Sequence, residues 1–195
     1  NNHLSEETYN LMVDYLKEND MYSSMYDYYK PAIHYSLISS LQTELSELDS
    51  NKGIDMYFLE KAHKDKKEIL EVESADLQYN LLGSMPDELY EVLIKSSVLY
   101  ADQMVKDVND LYEVWLSGDV DAILSFMQEE DDTLKDFEDI ENVEMLINNY
   151  NKALITDRNI TMTNKAIEYL DRVLEIEPDA IMAKALKKLI LQKYL

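Results

Sequence analysis

Residues 86–118 read PDELYEVLIKSSVLYADQMVKDVNDLYEVWLSG, a long stretch with a regular helical pattern. Its apolar residues recur at spacings of three and four, which predicts one long helix. The helix is expected to begin at Pro86, where a proline costs no hydrogen bond, and to end at Ser117-Gly118, because glycine readily takes the left-handed conformation that closes a helix. Trp115 continues the apolar face, so we expect its ring to be largely buried.

The composition of the whole chain favours the same fold class. Only 3 of 195 residues are Gly and 3 are Pro, whereas average usage is about 7% and about 5%. Sheets and barrels need such turn residues, and the 46% of hydrophobic residues is enough for a packed core. We therefore predict an all-α or nearly all-α fold, an irregular helical bundle with at most one short strand near residues 69–72.

The charge of the chain restricts its partners. The 40 acidic and 18 basic residues give a formal net charge of −22, which repels the phosphates of nucleic acids and anionic membrane surfaces. A protein or peptide partner remains open. The sequence contains no cysteine, which excludes disulfides and thiolate ligands. It also contains no 18-residue apolar run, so no membrane span is expected.

Four short segments carry a family resemblance. They are Gly53-Ile-Asp-Met-Tyr-Phe-Leu-Glu-Lys-Ala62, Glu71-Val-Glu-Ser74 with Leu77-Gln78, Trp115-Leu-Ser-Gly-Asp119, and Thr156-Asp-Arg-Asn159. In this order and at these spacings they resemble the central helical region of the TraB/GumN family, which includes the Tiki-type proteins, regarded as metal-dependent proteases. In that family the metal and catalytic groups lie largely in two Gly-x-x-His motifs, and this sequence contains neither.

The resemblance implies which positions would lie near the family's site. The segment matching residues 69–73 is a strand in the family, with Glu73 at its end, and the segment matching Asp157-Arg158-Asn159 faces the site. Glu73, Arg158 and Asn159 are therefore the family-matching positions, although none is assigned as catalytic here. If the family's geometry persists, Glu73 and Arg158 form a buried ion pair; the alternative places both on the surface.

No residues form a recognisable metal site, and no cofactor is predicted. His3, His34 and His63 are scattered, and none follows a glycine at the family's spacing. Residues 49–60 imitate a calcium loop, but Ile54 stands where that loop requires glycine. The acidic run at 129–139 is expected to be a solvated charged segment. A divalent metal remains the alternative if catalytic segments are supplied from elsewhere.

The last residues form the only clearly basic element. Residues 178–195 carry four lysines and predict a C-terminal helix packed on a helical body formed by residues 1–177. Depending on whether this helix folds back or reaches a neighbour, the chain is expected to be a monomer or a homodimer. Residues 165–178 also resemble the second helix and turn of a tetratricopeptide repeat.

Three functions follow as hypotheses. The first is a non-catalytic helical binding or structural module. Whether the chain is an enzyme stays uncertain, and the absent histidine motifs favour the view that it is not. The second is a part of a Tiki-like metal-dependent protease whose catalytic strands lie outside this chain. The third is a tetratricopeptide-like peptide binder. The first residue is Asn1 rather than methionine, which suggests a processed chain or a fragment, and the resemblance suggests an exported or cell-surface protein of a bacterium.

Overall fold

The fold is helical. A computed structural model describes residues 3–46, 48–126, 137 and 142–194. The described residues are 80% helical and contain no strand, residues 69–72 included. The predicted all-α class is confirmed.

Most helices begin and end at local signals that the sequence shows. In chain order they are α1 (Glu6–Glu18), α2 (Pro31–Leu45), α3 (Ile54–Lys64), α4 (Ala75–Gly83), α5 (Asp87–Leu99), α6 (Ala101–Ser117), α7 (Val120–Phe126), α8 (Val143–Asn151), α9 (Arg158–Ile176) and α10 (Ile181–Tyr194). The Ser5 hydroxyl accepts the Thr8 N–H at 3.1 Å, and two glutamates follow in the first turn of α1, where the helix dipole favours negative charge. Asp119 caps α7 in the same way by accepting the N–H groups of Asp121 and Ala122, both at 3.0 Å.

The chain divides into two compact units. Unit 1 comprises residues Asn1–Lys67 and Met85–Leu146, and unit 2 comprises Glu68–Ser84 and Ile147–Leu195. In unit 1, α5 packs against α1, α2 and α6, and α2 also packs against α6. The buried apolar residues of this unit are Met12, Val13, Leu16, Ala32, Ile38, Leu41, Leu89, Tyr90, Val92, Ile94 and Phe137. Unit 1 therefore has an apolar core of ordinary kind.

Two polar contacts join the helices of this core. The Glu91 carboxylate on α5 accepts the Ser5 N–H at 3.0 Å and the Thr8 hydroxyl at 2.5 Å, which ties the start of α1 to α5. The Gln42 amide on α2 donates to the Ser97 carbonyl at 2.7 Å inside the core. The Thr8 and Gln42 side chains are buried, so their bonds satisfy polar groups that burial would otherwise leave without a partner.

The single helix predicted over residues 86–118 is wrong. Tyr100, at φ −111° and ψ 25°, leaves the helical conformation and separates α5 from α6. After this break the apolar side of α6 points in a different direction from that of α5, so the buried face of α5 does not continue along α6. Trp115 is 63% exposed, and its ring stacks on Tyr112 at a centroid distance of 6.5 Å. The predicted burial of Trp115 is therefore also wrong, whereas the predicted end is confirmed by Gly118 at φ 69°.

Unit 2 is built around a helical hairpin. α9 and α10 pack against each other, and a π-helical turn, Lys152–Asp157, leads into α9. Ala183 is buried, and the Lys187 ammonium pairs with the Asp171 carboxylate between the two helices. The basic C-terminal helix thus packs on α9. Whether residues 1–177 form a body without that helix stays a prediction.

Candidate functional site

The site is an ion pair between two residues far apart in the chain. Glu73 lies in the loop that leads into α4, and Arg158 is the first residue of α9. The Arg158 guanidinium donates from Nε to Glu73 Oε2 at 2.8 Å and from Nη2 to Glu73 Oε1 at 2.7 Å. This two-pronged geometry is the strong form of an arginine–carboxylate pair. The Glu73 side chain is 7% exposed and that of Arg158 22%, so the pair is largely shielded from water.

Local structure orients both members of the pair. Ser74, next to Glu73, caps α4 by accepting the Leu77 N–H at 3.2 Å, which fixes the backbone at the end of the loop. On the other side, the π-helical turn Lys152–Asp157 ends directly before Arg158. Turns of this kind are rare and occur frequently at functional sites.

The pair keeps the Glu73 carboxylate charged. Hydrogen bonds from Arg158 lower the pKa of Glu73 below its ordinary value, against the opposing effect of burial. The same contact raises the pKa of Arg158. An ionised glutamate can only accept hydrogen bonds, and both of its oxygens are engaged by the guanidinium. Glu73 is therefore a poor general acid in this arrangement.

A second contact holds the same loop on α9. The Tyr169 hydroxyl donates to the Glu71 carbonyl at 2.7 Å. The ring of Tyr169 in turn lies beneath two cations, the Lys165 ammonium at 5.1 Å and the Arg172 guanidinium at 6.0 Å. The loop around Glu73 is thus attached to α9 at two points.

The other candidate position, Asn159, follows Arg158 in α9. It is half-buried, and the two hydrogen bonds of the ion pair do not involve it. The structure therefore brings Glu73 and Arg158 together and leaves Asn159 beside them.

The described residues do not fit a divalent metal ion. Among them, no three His, Asp or Glu side chains converge in a way that could hold one. Glu73, one of the family-matching positions, is bound to a guanidinium whose positive charge would repel a metal. The acidic run at 129–139 lies, apart from Phe137, outside the described residues.

The histidines and the calcium-like loop have other partners. His3 Nδ1 lies 2.8 Å from Asp87 Oδ2, and His63 is exposed on α3. His34 is 4% exposed, and its Nε2 lies 2.7 Å from the Tyr26 carbonyl oxygen. Asp49 accepts the Asn51 N–H at 2.9 Å and pairs with Lys52 at 3.1 Å, so its carboxylate serves the local turn.

Comparison with known proteins identifies the family of the chain. The family model described as TraB/PrgY/gumN matches residues 1–174. The chain belongs to the TraB/PrgY/gumN family. No curated protein and no solved structure matches it. As in the sequence, the helices that the structure describes include none that is long and apolar enough to cross a bilayer.

Proposed function

We propose that this TraB/PrgY/gumN chain is a helical binding or structural module that does not catalyse a reaction by itself. The observation that carries the proposal is the ion pair of Glu73 and Arg158. The guanidinium donates to both oxygens of the carboxylate and lowers the pKa of Glu73, which makes it a weak general base, and the positive charge of Arg158 opposes a metal ion at the same carboxylate. In this role the pair holds the loop that precedes α4 against α9.

Exposed apolar side chains support a binding role. Several large apolar residues are more than half exposed in each unit, among them Ile54, Tyr57 and Phe58 in unit 1 and Ile176, Ile181 and Met182 in unit 2. Single exposed apolar residues are normal on a protein surface, whereas groups of them mark places where a partner binds. A protein or peptide is the class of partner that such surfaces suit.

A hydrolysis assay tests the proposal. The full chain would be incubated with an unstructured peptide and added manganese, cobalt or zinc, next to the matched variant Glu73→Gln. No metal-dependent cleavage above background is expected from either protein. Cleavage by the wild-type chain that disappears in Glu73→Gln would overturn the proposal and assign catalysis to this site.

The second candidate is a part of a metal-dependent protease, with catalytic strands that lie outside this chain. The family match over residues 1–174 supports it, and the cofactor would then be a divalent metal. The flanking coding sequence and the intact mass of the natural protein test it. Gly-x-x-His segments joined to this chain would favour the protease, and their absence from the natural protein would exclude it.

The third candidate, a tetratricopeptide-like peptide binder, draws support from the hairpin of α9 and α10. The face of α10 that carries Met182, Leu186 and Leu189 is exposed by 80%, 48% and 58%. In a repeat array this face would be covered by a further helix. Binding of unstructured peptides that is lost in Leu186→Glu, and retained in Leu116→Glu on unit 1, is the expected result for this candidate.

A further inference from the structure

Helix α3 is a short helix without any buried residue. It has eleven residues, all of them described, and none is buried. Ile54, Tyr57 and Phe58 are exposed by 71%, 59% and 59%, and Met56 and Leu59 by 41% and 39%. Isolated helices shorter than about 12–15 residues are marginal in water. A surface that covers its apolar side chains would stabilise α3.

The charge of α3 indicates the composition of the surface that would cover it. Lys61, His63 and Lys64 lie in its last turn, and Lys66 and Lys67 follow after Asp65. Residues 61–67 thus carry four lysines and one aspartate, so the C-terminal end of α3 is locally basic in a chain of net charge −22. The complementary surface is apolar and acidic.

Unit 1 carries a surface of that composition at the end of α6 and on α7. Trp115, Leu116, Val120 and Leu124 are exposed by 63%, 54%, 64% and 50%. Residues 107–126 contain five acidic residues and no lysine or arginine. We call this the α6–α7 surface. Because α3 and the α6–α7 surface are both exposed in unit 1, one does not cover the other within the unit.

We propose that two copies of this chain form a dimer in which α3 of each copy binds the α6–α7 surface of the other. The contact is reciprocal, so it closes with twofold symmetry and leaves no free binding face for further growth. Each of the two contacts would cover Tyr57, Phe58 and the partner's Trp115. An aromatic side chain buries about 150–250 Å² in full, and about 60% of each of these is exposed, so the six rings contribute about 500–900 Å². With the exposed aliphatic residues of both surfaces the total is on the order of 1,000 Å², the size at which specific interfaces begin.

The first test uses the full chain at about 0.15 M salt, where repulsion between the two acidic bodies is screened beyond about 8 Å. Sedimentation velocity from low to high micromolar concentration is expected to show the mass doubling. Trp115 is the only tryptophan, so its emission should shift to shorter wavelength over the same concentrations. A chain that stays monomeric throughout, or one whose emission does not follow its mass, would overturn the proposal.

Variants of exposed aromatic residues locate the interface. Phe58→Glu is expected to weaken dimerisation by about thirtyfold or more, the scale of an interface hot spot. Tyr79→Glu is the matched control, because Tyr79 is 68% exposed on α4 in unit 2. Far-ultraviolet circular dichroism would verify that both variants stay folded. Equal effects of the two variants would show that dimerisation does not use α3.

A charge exchange tests the pairing of the two surfaces directly. The variant K61E/K64E has an acidic α3, and the variant D110K/E113K/D121K has three lysines against Asp107 and Asp119, which makes its α6–α7 surface basic. Neither is expected to dimerise alone, because each would join surfaces of like charge. Mixed in equal amounts, they should form a heterodimer in which both contacts are complementary. Failure of the mixture to associate, or dimerisation of either variant alone, would contradict the proposed pairing.

Discussion

The two units of the molecule are stabilised by different interactions. Apart from Phe137, the buried apolar residues of unit 1 come from α1, α2 and α5 and include Leu16, Ile38, Val92 and Ile94, all without exposed surface. In the described part of unit 2, only Ala183 is a buried apolar residue. Unit 2 relies instead on the Glu73–Arg158 pair, the Tyr169–Glu71 bond and the Lys187–Asp171 pair.

This difference predicts different responses to the environment. Apolar burial contributes roughly 25 cal/mol per Å² and does not depend on pH or moderate salt. Ion pairs depend on both, and exposed ones contribute little. Unit 1 should therefore be the more stable unit, and unit 2 the one that opens first when its charges are altered.

The largest effect is expected from truncating the core of unit 1. Leu16→Ala should lower the free energy of unfolding by about 2–5 kcal/mol, because Leu16 is fully buried and its removal leaves a cavity. Leu45→Ala, at a position that is 51% exposed, is the control and should change it by less than about 0.5 kcal/mol. Urea denaturation followed by circular dichroism measures both. Similar losses for the two variants would mean that the core is not where we place it.

The next effect concerns the ion pair of unit 2. Glu73→Gln should lower the free energy of unfolding of unit 2 by about 1.5–3 kcal/mol, the range for hydrogen bonds to charged groups. Hydrogen exchange at the amides of α4 and α9 is the suitable measurement, because the loss should be confined to unit 2. Glu71→Gln, in the same loop, is the control; its carbonyl keeps the bond from Tyr169.

The pH dependence of that loss gives a second check. The folded pKa of Glu73 is lowered, so its stabilisation is complete above its unfolded pKa of about 4.3 and is lost as the pH falls through the folded value. Wild type and Glu73→Gln should therefore become alike in strong acid. A difference that persists there would point to packing rather than charge.

Removal of the C-terminal helix tests the predicted body of residues 1–177. A chain that ends at Glu177 loses the buried Ala183 and the Lys187–Asp171 pair. We expect a loss of about 1–2 kcal/mol, from a small buried side chain and one partly exposed pair. Exchange should rise in α9 and stay unchanged in α5. Unfolding of unit 1 in this variant would refute the prediction that the body stands without the helix.

A smaller effect should appear in unit 1 as the pH falls. Burial lowers the pKa of His34 below its ordinary value of 6.5, although the Tyr26 carbonyl and Asp27 oppose the shift. The unfolded chain then takes up a proton before the folded one does, so unit 1 loses stability as the pH falls through about 6.5 and below. His34→Gln should weaken this dependence between about pH 7.5 and pH 5.5 in thermal unfolding. An unchanged slope would mean that His34 is accessible to solvent.

The smallest effect is expected at Trp115. In dilute protein, Trp115→Ala should change the free energy of unfolding by less than about 0.5 kcal/mol, because the side chain is 63% exposed. Its emission should lie at the long wavelengths typical of a solvated indole. A loss of several kcal/mol in the free energy of unfolding, or emission at short wavelength in dilute protein, would show that Trp115 is buried as the sequence pattern predicted.

Local signals and long-range contacts differ in how well they can be predicted. The caps at Ser5 and Asp119, the start at Pro31 and the end at Gly118 depend on a few neighbouring residues, and the end at Gly118 lies where the sequence pattern predicts it. No glycine or proline stands at the break at Tyr100, and the periodic apolar pattern continues across it. The pattern therefore did not predict the break. The approach of Glu73 to Arg158, 85 residues apart, was expected only because of the family resemblance.

By itself the sequence determined the helical class, most helix ends, the strong negative charge and the family. These properties depend on composition and on short-range bonding, which the chain carries wherever it folds. Only the tertiary structure decided which faces are covered. It placed Trp115 and all of α3 at the surface, buried His34 and engaged both oxygens of Glu73. The physical reason is that burial and charge pairing depend on partners far along the chain, whose positions no local pattern specifies.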